Sequence, residues 1–177
     1  CPAYCKEVCP LDHSIELREL EKACLRYAKK TDPPDYNLPL KKPKVAIVGM
    51  GISGMGCLLR LATKKYQVTA YEKTDRIGGQ LWNLLDSNLF LGDFHKQLQH
   101  ETYQIEFQRE IQSLEELVEF DAIYIDTGLG GKDFGLLLDE EEYPCFQIGN
   151  TGVFAGGSLL CKSIMESLAH GLQMGTT

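Results

Sequence analysis

Two groups of residues in this 177-residue chain have types and spacing that could carry chemistry. The first lies in VAIVGMGISGMG, where Gly49, Gly51 and Gly54 stand in G-x-G-x-x-G spacing, with Ile52 and Ser53 between them at a helix start. In such a loop the first glycine allows a tight turn, the second lets backbone approach a pyrophosphate, and the third permits close helix–strand packing. The N–H groups of the helix start stabilise the phosphate charge. Glu72 closes the next strand 23 residues after Gly49, near the ~20-residue offset at which an acid accepts hydrogen bonds from an adenosine ribose. Glycine loop and acid together predict a dinucleotide site. The second group is Cys1, Cys5, Cys9 and Cys24, four of the seven cysteines within the first 24 residues. An odd cysteine count and this crowding fit metal ligation in a reducing compartment better than a secreted disulfide framework.

The elements that must position these residues are legible in outline. Residues 1–11 form a Cys/Pro-rich loop, and Asp12 or Ser14 can cap a helix over IELRELEKACLRYAKK, with Ile15, Leu17, Leu20, Ala23, Cys24 and Tyr27 at helical spacing. TDPPDYNLPLKKP carries four prolines in thirteen residues and reads as an extended connector. The chain therefore divides into a Cys-rich helical leader at 1–30, a proline-rich linker at 31–43 and a domain at 44–177. KVAIVG is a β-branched apolar run suited to a central parallel strand buried on both faces. A helix over about Ser53–Lys65 and the strand QVTAYEK complete a βαβ unit. Further along, the pattern predicts a helix near Asp93–His100, a strand at QIEFQ, a helix around SLEELVEF and a strand at FDAIYIDTG. A strand and glycine turn at GVFAGG and a helix over SLLCKSIMESLAHG complete the series. Alternating strands and helices predict an α/β fold with a central parallel sheet.

Composition narrows the function classes. With 18 Lys+Arg against 25 Asp+Glu, the formal charge of −7 argues against nucleic acid, whose binding rests on clustered cations. No run approaches the ~20 apolar residues needed to span a bilayer, so no membrane role is expected. The opening CPAYCKEVCP lacks a basic segment followed by an apolar one, and a cytoplasmic location is expected. The first residue is not Met, so upstream residues could precede Cys1. The histidines His13, His95, His100 and His170 show no paired metal spacing, and Cys57 and Cys161 read as small packing residues within helices.

Four blocks in order, VAIVGMGISGMG, YEKTDRIGGQL, FDAIYIDTG and GVFAGGSLLCKSIMESLAHG, resemble the FAD-binding domain of pyridine nucleotide-disulfide oxidoreductase-type flavoproteins, of the kind found in the glutamate synthase small subunit and the N-terminal part of dihydropyrimidine dehydrogenase. The resemblance covers nearly all of residues 44–175. It implies a Rossmann-like FAD-binding domain in which Glu72 and Lys73 lie at the adenosine ribose, and Gly78, Gly79, Gln80 and Leu81 approach the flavin side. Thr127 and Gly128 would close over the cofactor, while Gly157, Ser158 and Ser163 would bind pyrophosphate, ribityl chain and flavin edge. Cys1-x3-Cys5-x3-Cys9-Pro10 is similar to the latter part of that family's iron–sulfur motif, with Cys24 as a fourth ligand; thiolates are the usual ligands of such clusters. Zinc is the lesser metal reading, because no Cys-x2-Cys pair is present.

Two positions depart from the family pattern. Ser158 stands where the family has an Asp that accepts a ribityl hydroxyl, which implies a weaker hydrogen bond there, and Asp126 stands where the family often has Ala. Between the Thr-Gly strand and the Phe-Ala-Gly turn lie only residues 129–153, 25 in all. A βαβ unit takes about 30 or more residues, so the family's NAD(P)H domain has no room there. The expected function is an FAD-dependent redox module that transfers electrons between an iron–sulfur cluster and a partner protein, subunit or substrate. The alternatives are a non-catalytic structural or FAD-sensing subunit and an excerpt of a larger flavin oxidoreductase.

Overall fold

A computed structural model describes residues 8–10, 15–136, 145–160 and 162–176. It divides into two compact units, Cys1–Pro33 and Pro34–Thr177. The first contains α1 (Leu17–Tyr27), a helix with no buried residue. The expected caps Asp12 and Ser14 lie outside the described residues, and Glu16, at the helix start, makes no side-chain cap.

The second unit is built on a six-stranded sheet in the order β3-β2-β1-β4-β6-β5. The strands are β1 (Lys44–Val48), β2 (Gln67–Glu72), β3 (Gln104–Phe107), β4 (Ala122–Ile125), β5 (Cys145–Ile148) and β6 (Thr151–Ala155). All neighbours pair in parallel except β5, which turns back antiparallel on β6. β1 lies at the centre, and its alternation explains its uninterrupted apolar sequence. Val45 and Ile47 enter one core with Val68, Ala70 and Tyr124, while Ala46 and Val48 enter the opposite core with Ile123, Ile125 and Val153.

The first face is covered by helices. Leu58, Leu61 and Ala62 of α2 (Ile52–Thr63) and Phe94 of α3 (Ser87–Gln97) fill it, with Ile164 and Met174 of α4 (Ile164–Met174) packed against it. The second face is covered by Ile111, Leu114, Leu117 and Phe120. Leu114 and Leu117 belong to a single 3-10 turn, Leu114–Leu117, whose three-residue period puts both on one side. The expected longer helix over SLEELVEF is thus one turn, and the helix expected near Asp93 starts earlier, where Asp86 accepts the Asn88 N–H.

One ion pair is built into this scaffold. Lys65 follows α2 with a left-handed backbone, φ 66°, and its Nζ lies 2.7 Å from Glu101 Oε2, both side chains less than a tenth exposed. That pair ties the end of α2 to the segment leading into β3.

Candidate functional site

The carboxyl ends of β1, β2 and β4 meet at one cavity of about 430 Å³, within the size range of small-molecule and cofactor sites. Ligands of open parallel sheets bind at these strand ends, and local backbone geometry shows how the sequence opens the site. Gly49 follows β1 with φ +98°, and a Cβ there would overlap the Asp126 carbonyl. Its N–H donates to the Tyr71 carbonyl at 2.8 Å. Gly54, in the first turn of α2, lies so close to Gly49 that a Cβ would overlap the Gly49 carbonyl oxygen, which is the helix–strand contact predicted for the third glycine. The second glycine loop is fastened to the first by the Gly78 N–H donating to the Met50 carbonyl at 2.7 Å.

Glu72 is oriented from both sides. Its Oε2 accepts the Met50 N–H at 2.9 Å, and its Oε1 accepts the Thr74 N–H and hydroxyl at 2.9 and 2.8 Å. Glu72 is 8% exposed and lines the cavity, and its carboxylate has acceptor capacity beyond these bonds, since two carboxylate oxygens offer about four lone-pair sites. Such a fixed acceptor suits vicinal sugar hydroxyls.

Asp126, directly after β4, is buried, and its Oδ2 accepts the Gly54 N–H at 2.8 Å. Burial pushes its carboxyl up to about 7, against the lowering effect of the Gly54 and Ser53 N–H groups and with a further upward push from Glu72. Behind the loop, Ser53 Oγ and Tyr124 Oη share a hydrogen bond at 2.6 Å, and Tyr124 Oη meets His170 Nδ1 at 3.1 Å. Burial holds His170 neutral, with its pKa down at about 4, and raises the Tyr124 hydroxyl well above its ordinary value. The Cys57 thiol is likewise pushed up by burial, so it stays protonated and packs instead of reacting. Four cationic side chains, Lys73, Arg109, Lys132 and Lys162, also line the cavity; Arg109 already pairs with Glu116 at 2.8 Å.

Most of the residues singled out from sequence come together here: Gly49, Gly51, Ile52, Glu72, Lys73, Gly78, Gly79, Gln80, Leu81, Thr127, Gly128 and Ser158 all line the cavity. Ser53 and Gly54 stand just behind the lining as buried residues, and Gly157 packs against the Asp126 carboxylate. Ser163 is engaged elsewhere, where its Oγ and the Glu166 carboxylate form a capping box at the start of α4. Sequence reasoning passes over the tethers Met50 and Thr74, the position of Asp126 on the loop amides, and the cations Arg109, Lys132 and Lys162. The Asp at 126 is visible as a departure from pattern, but its direction is not. Of the four cysteines, Cys1 and Cys5 lie outside the described residues, Cys9 is half-buried and Cys24 exposed. Among the described residues no three His, Cys, Asp or Glu side chains gather to hold a metal, and no helix is long and apolar enough to cross a membrane.

Comparison with known proteins agrees with this geometry. Residues 47–83 match the NAD(P)-binding Rossmann-like domain family, the stretch that carries both glycine loops and Glu72. The glutamate synthase [NADPH] small chain of Bacillus subtilis is 31% identical over 86 residues, 46% of this chain and 17% of that one. The NADPH-Fe(3+) oxidoreductase subunit beta of Geobacter sulfurreducens is 33% identical over 84 residues, 40% of this chain and 12% of the other. The matched segments thus span less than a fifth of these relatives. The crystal structure of Thermovibrio ammonificans THI4 superposes with a TM-score of 0.50 at 15% identity, covering 94% of this chain and 96% of the other, a likeness of fold. By strand order the domain has a Rossmann-like α/β fold, and residues 47–83, with both glycine loops and Glu72, are similar in sequence to the NAD(P)-binding Rossmann-like domain family.

Proposed function

We propose that this domain binds FAD and serves as a redox module, passing electrons between an iron–sulfur cluster and a partner protein or substrate. The observation that carries the FAD reading is the pairing of the two glycine loops through Gly78 and Met50, with Glu72 held at their junction. One dinucleotide can lie along this line, its adenosine ribose at Glu72, its pyrophosphate at the Gly49–Gly54 loop and its far ring toward Gly78, Gly79 and Leu81. A bound flavin supplies hydride and single-electron transfer; the chain's own residues orient it and exclude water. Lys73, Lys132 and Lys162 add cationic charge to the lining, which favours a polyanionic ligand. The cluster reading rests on the spacing of Cys1, Cys5 and Cys9, with Cys24 as a fourth thiolate, and the partner reading on residues 129–153, whose 25 positions leave no room for an NAD(P)H domain between the Thr-Gly strand and the Phe-Ala-Gly turn.

The test is the visible spectrum of anaerobically purified protein before and after dithionite, with iron and acid-labile sulfide assayed on the same sample. Flavin bands at about 375 and 450 nm that bleach on reduction, together with iron and sulfide, are the expected result. Flavin without iron would leave an FAD module and remove the cluster. Colourless protein that refuses added FAD would overturn the reading. A non-catalytic dinucleotide sensor is the second reading, favoured by Asp126 already bonding a loop amide; it predicts FAD binding without transfer of electrons to any acceptor.

A further inference from the structure

The first turn of a helix after a glycine loop offers its amides to a phosphate, yet here a protein carboxylate has arrived first. Asp126 Oδ2 accepts the Gly54 N–H at 2.8 Å, and the carboxylate lies 3.2 Å from where a Cβ on Gly51 would stand. The same side chain lines the cavity. An ionised carboxylate in this place satisfies the positive end of α2 and presents like charge to an entering pyrophosphate, in surroundings where burial limits screening.

The side chain has little freedom to leave. Its Oδ1 occupies the space that a Cβ on Gly157 would need, and the Asp126 carbonyl lies against Gly49. The Asp126 N–H is held by the Val48 carbonyl at 2.8 Å. A change of charge is therefore available where a change of position is not.

We propose that Asp126 sets the charge the glycine loop accepts, so that a dinucleotide binds with this carboxyl in its neutral form and, in alkaline solution, one proton is taken up from solvent for each dinucleotide bound. The proposal rests on the dinucleotide reading above. With the proton on Oδ1, Oδ2 continues to accept from Gly54, and the like charge facing an entering phosphate is removed. No bond other than O–H forms and none breaks.

The surrounding groups favour this assignment. Glu72, from β2, is the acidic neighbour that pushes the Asp126 carboxyl upward, in addition to burial, to about 7. Cys57 on α2 and Tyr124 on β4 stay protonated at neutral pH because burial raises both. His170 on α4, bonded to Tyr124, is held neutral. Lys132 and Lys162, also in the cavity lining, add cationic attraction for phosphate. Asp126 is then the group in this set whose proton changes hands near neutrality.

The experiment measures FAD affinity of the whole chain from pH 6 to 9, by titration calorimetry in two buffers of different ionisation enthalpy, for wild type and Asp126→Asn. Wild type is expected to weaken by up to tenfold per pH unit above about pH 7, with close to one proton absorbed per FAD at pH 8. Asp126→Asn is expected to hold one affinity across the range, equal to or tighter than wild type at pH 6. FAD binding by wild type with a flat pH profile and no proton uptake overturns the proposal while leaving the dinucleotide reading intact, and this arm needs no variant. An unchanged pH slope in Asp126→Asn overturns it as well. Failure of both proteins to bind FAD at every pH overturns the dinucleotide reading and this proposal with it.

Discussion

Replacing Asp126 by Asn should change the pH dependence of folding before any ligand is added. The carboxyl rises from an ordinary value of 3.8 to about 7 in the folded chain, so the folded state holds its proton more tightly than the unfolded one. Well below pH 3.8 both states are protonated and there is no penalty. As pH rises, the unfolded chain ionises first, and the stability linked to the proton is lost progressively until the folded carboxyl ionises near pH 7. Each tenfold difference in proton affinity between the two states is worth about 1.4 kcal/mol, so the full loss is about 4 kcal/mol, of which about 2 to 3 kcal/mol falls between pH 5 and 8. Asparagine keeps an oxygen to accept the Gly54 N–H and carries no charge to bury. The assay is urea denaturation of the unliganded protein at pH 5 and pH 8, followed by circular dichroism and by fluorescence of Trp82, the chain's one tryptophan. The stability of wild type relative to the variant should decline by that amount across the interval. Equal differences at the two pH values would refute the reasoning, because they would mean the carboxylate is no more costly to ionise in the folded chain than in the unfolded one.

Gly54→Ala should destabilise the fold by about 3 kcal/mol or more, because the new Cβ meets the Gly49 carbonyl oxygen and not a movable side chain; denaturant midpoints would check it, and a loss below about 0.5 kcal/mol would contradict the close approach. Lys65→Met should cost about 3 to 5 kcal/mol by leaving Glu101 buried without its partner, whereas Lys65→Met with Glu101→Leu should recover most of it, as thermal unfolding of the two variants would show. Glu72→Ala should weaken binding of adenosine-containing dinucleotides by about 10-fold to 100-fold, as loss of charge-assisted hydrogen bonds of about 1.5–3 kcal/mol, and equilibrium dialysis showing unchanged affinity would remove the ribose from this position.

The central sheet is legible because β1 (KVAIV) and β4 (AIYI) are apolar runs that lead into glycine-bearing turns, and β2 (QVTAYE) alternates buried with less buried positions between them, as strands of a covered parallel sheet do. The glycine spacing and Glu72 are legible for a related reason, since each is required by backbone geometry within one local βαβ unit. Strand β5 is not legible: CFQI is short, and its partner β6 supplies the hydrogen-bonding edge that its sequence does not announce. The leucines and acids of residues 113–120 suit a helix, but the Ser113–Glu116 capping box is followed by only one 3-10 turn. Asp126 is visible as a residue and invisible as a contact, because its bond to Gly54 spans 72 positions. Short-range spacing predicts local geometry; which side chain crosses a sheet edge to reach a loop depends on strand order.

That difference in separation also has a meaning in time. Met50 and Glu72 are 22 positions apart, and both belong to the unit that begins at β1 and ends at β2. Contacts of short separation close at lower entropic cost and form earlier than distant ones. The glycine loop and its acidic anchor are therefore expected to be assembled while β4 is still unpaired, leaving the amides of α2 open to solvent until Asp126 arrives. A dinucleotide present during synthesis meets a loop without a resident carboxylate, whereas one added to the finished protein must contend with it, so loading during folding and loading afterwards should proceed at different rates.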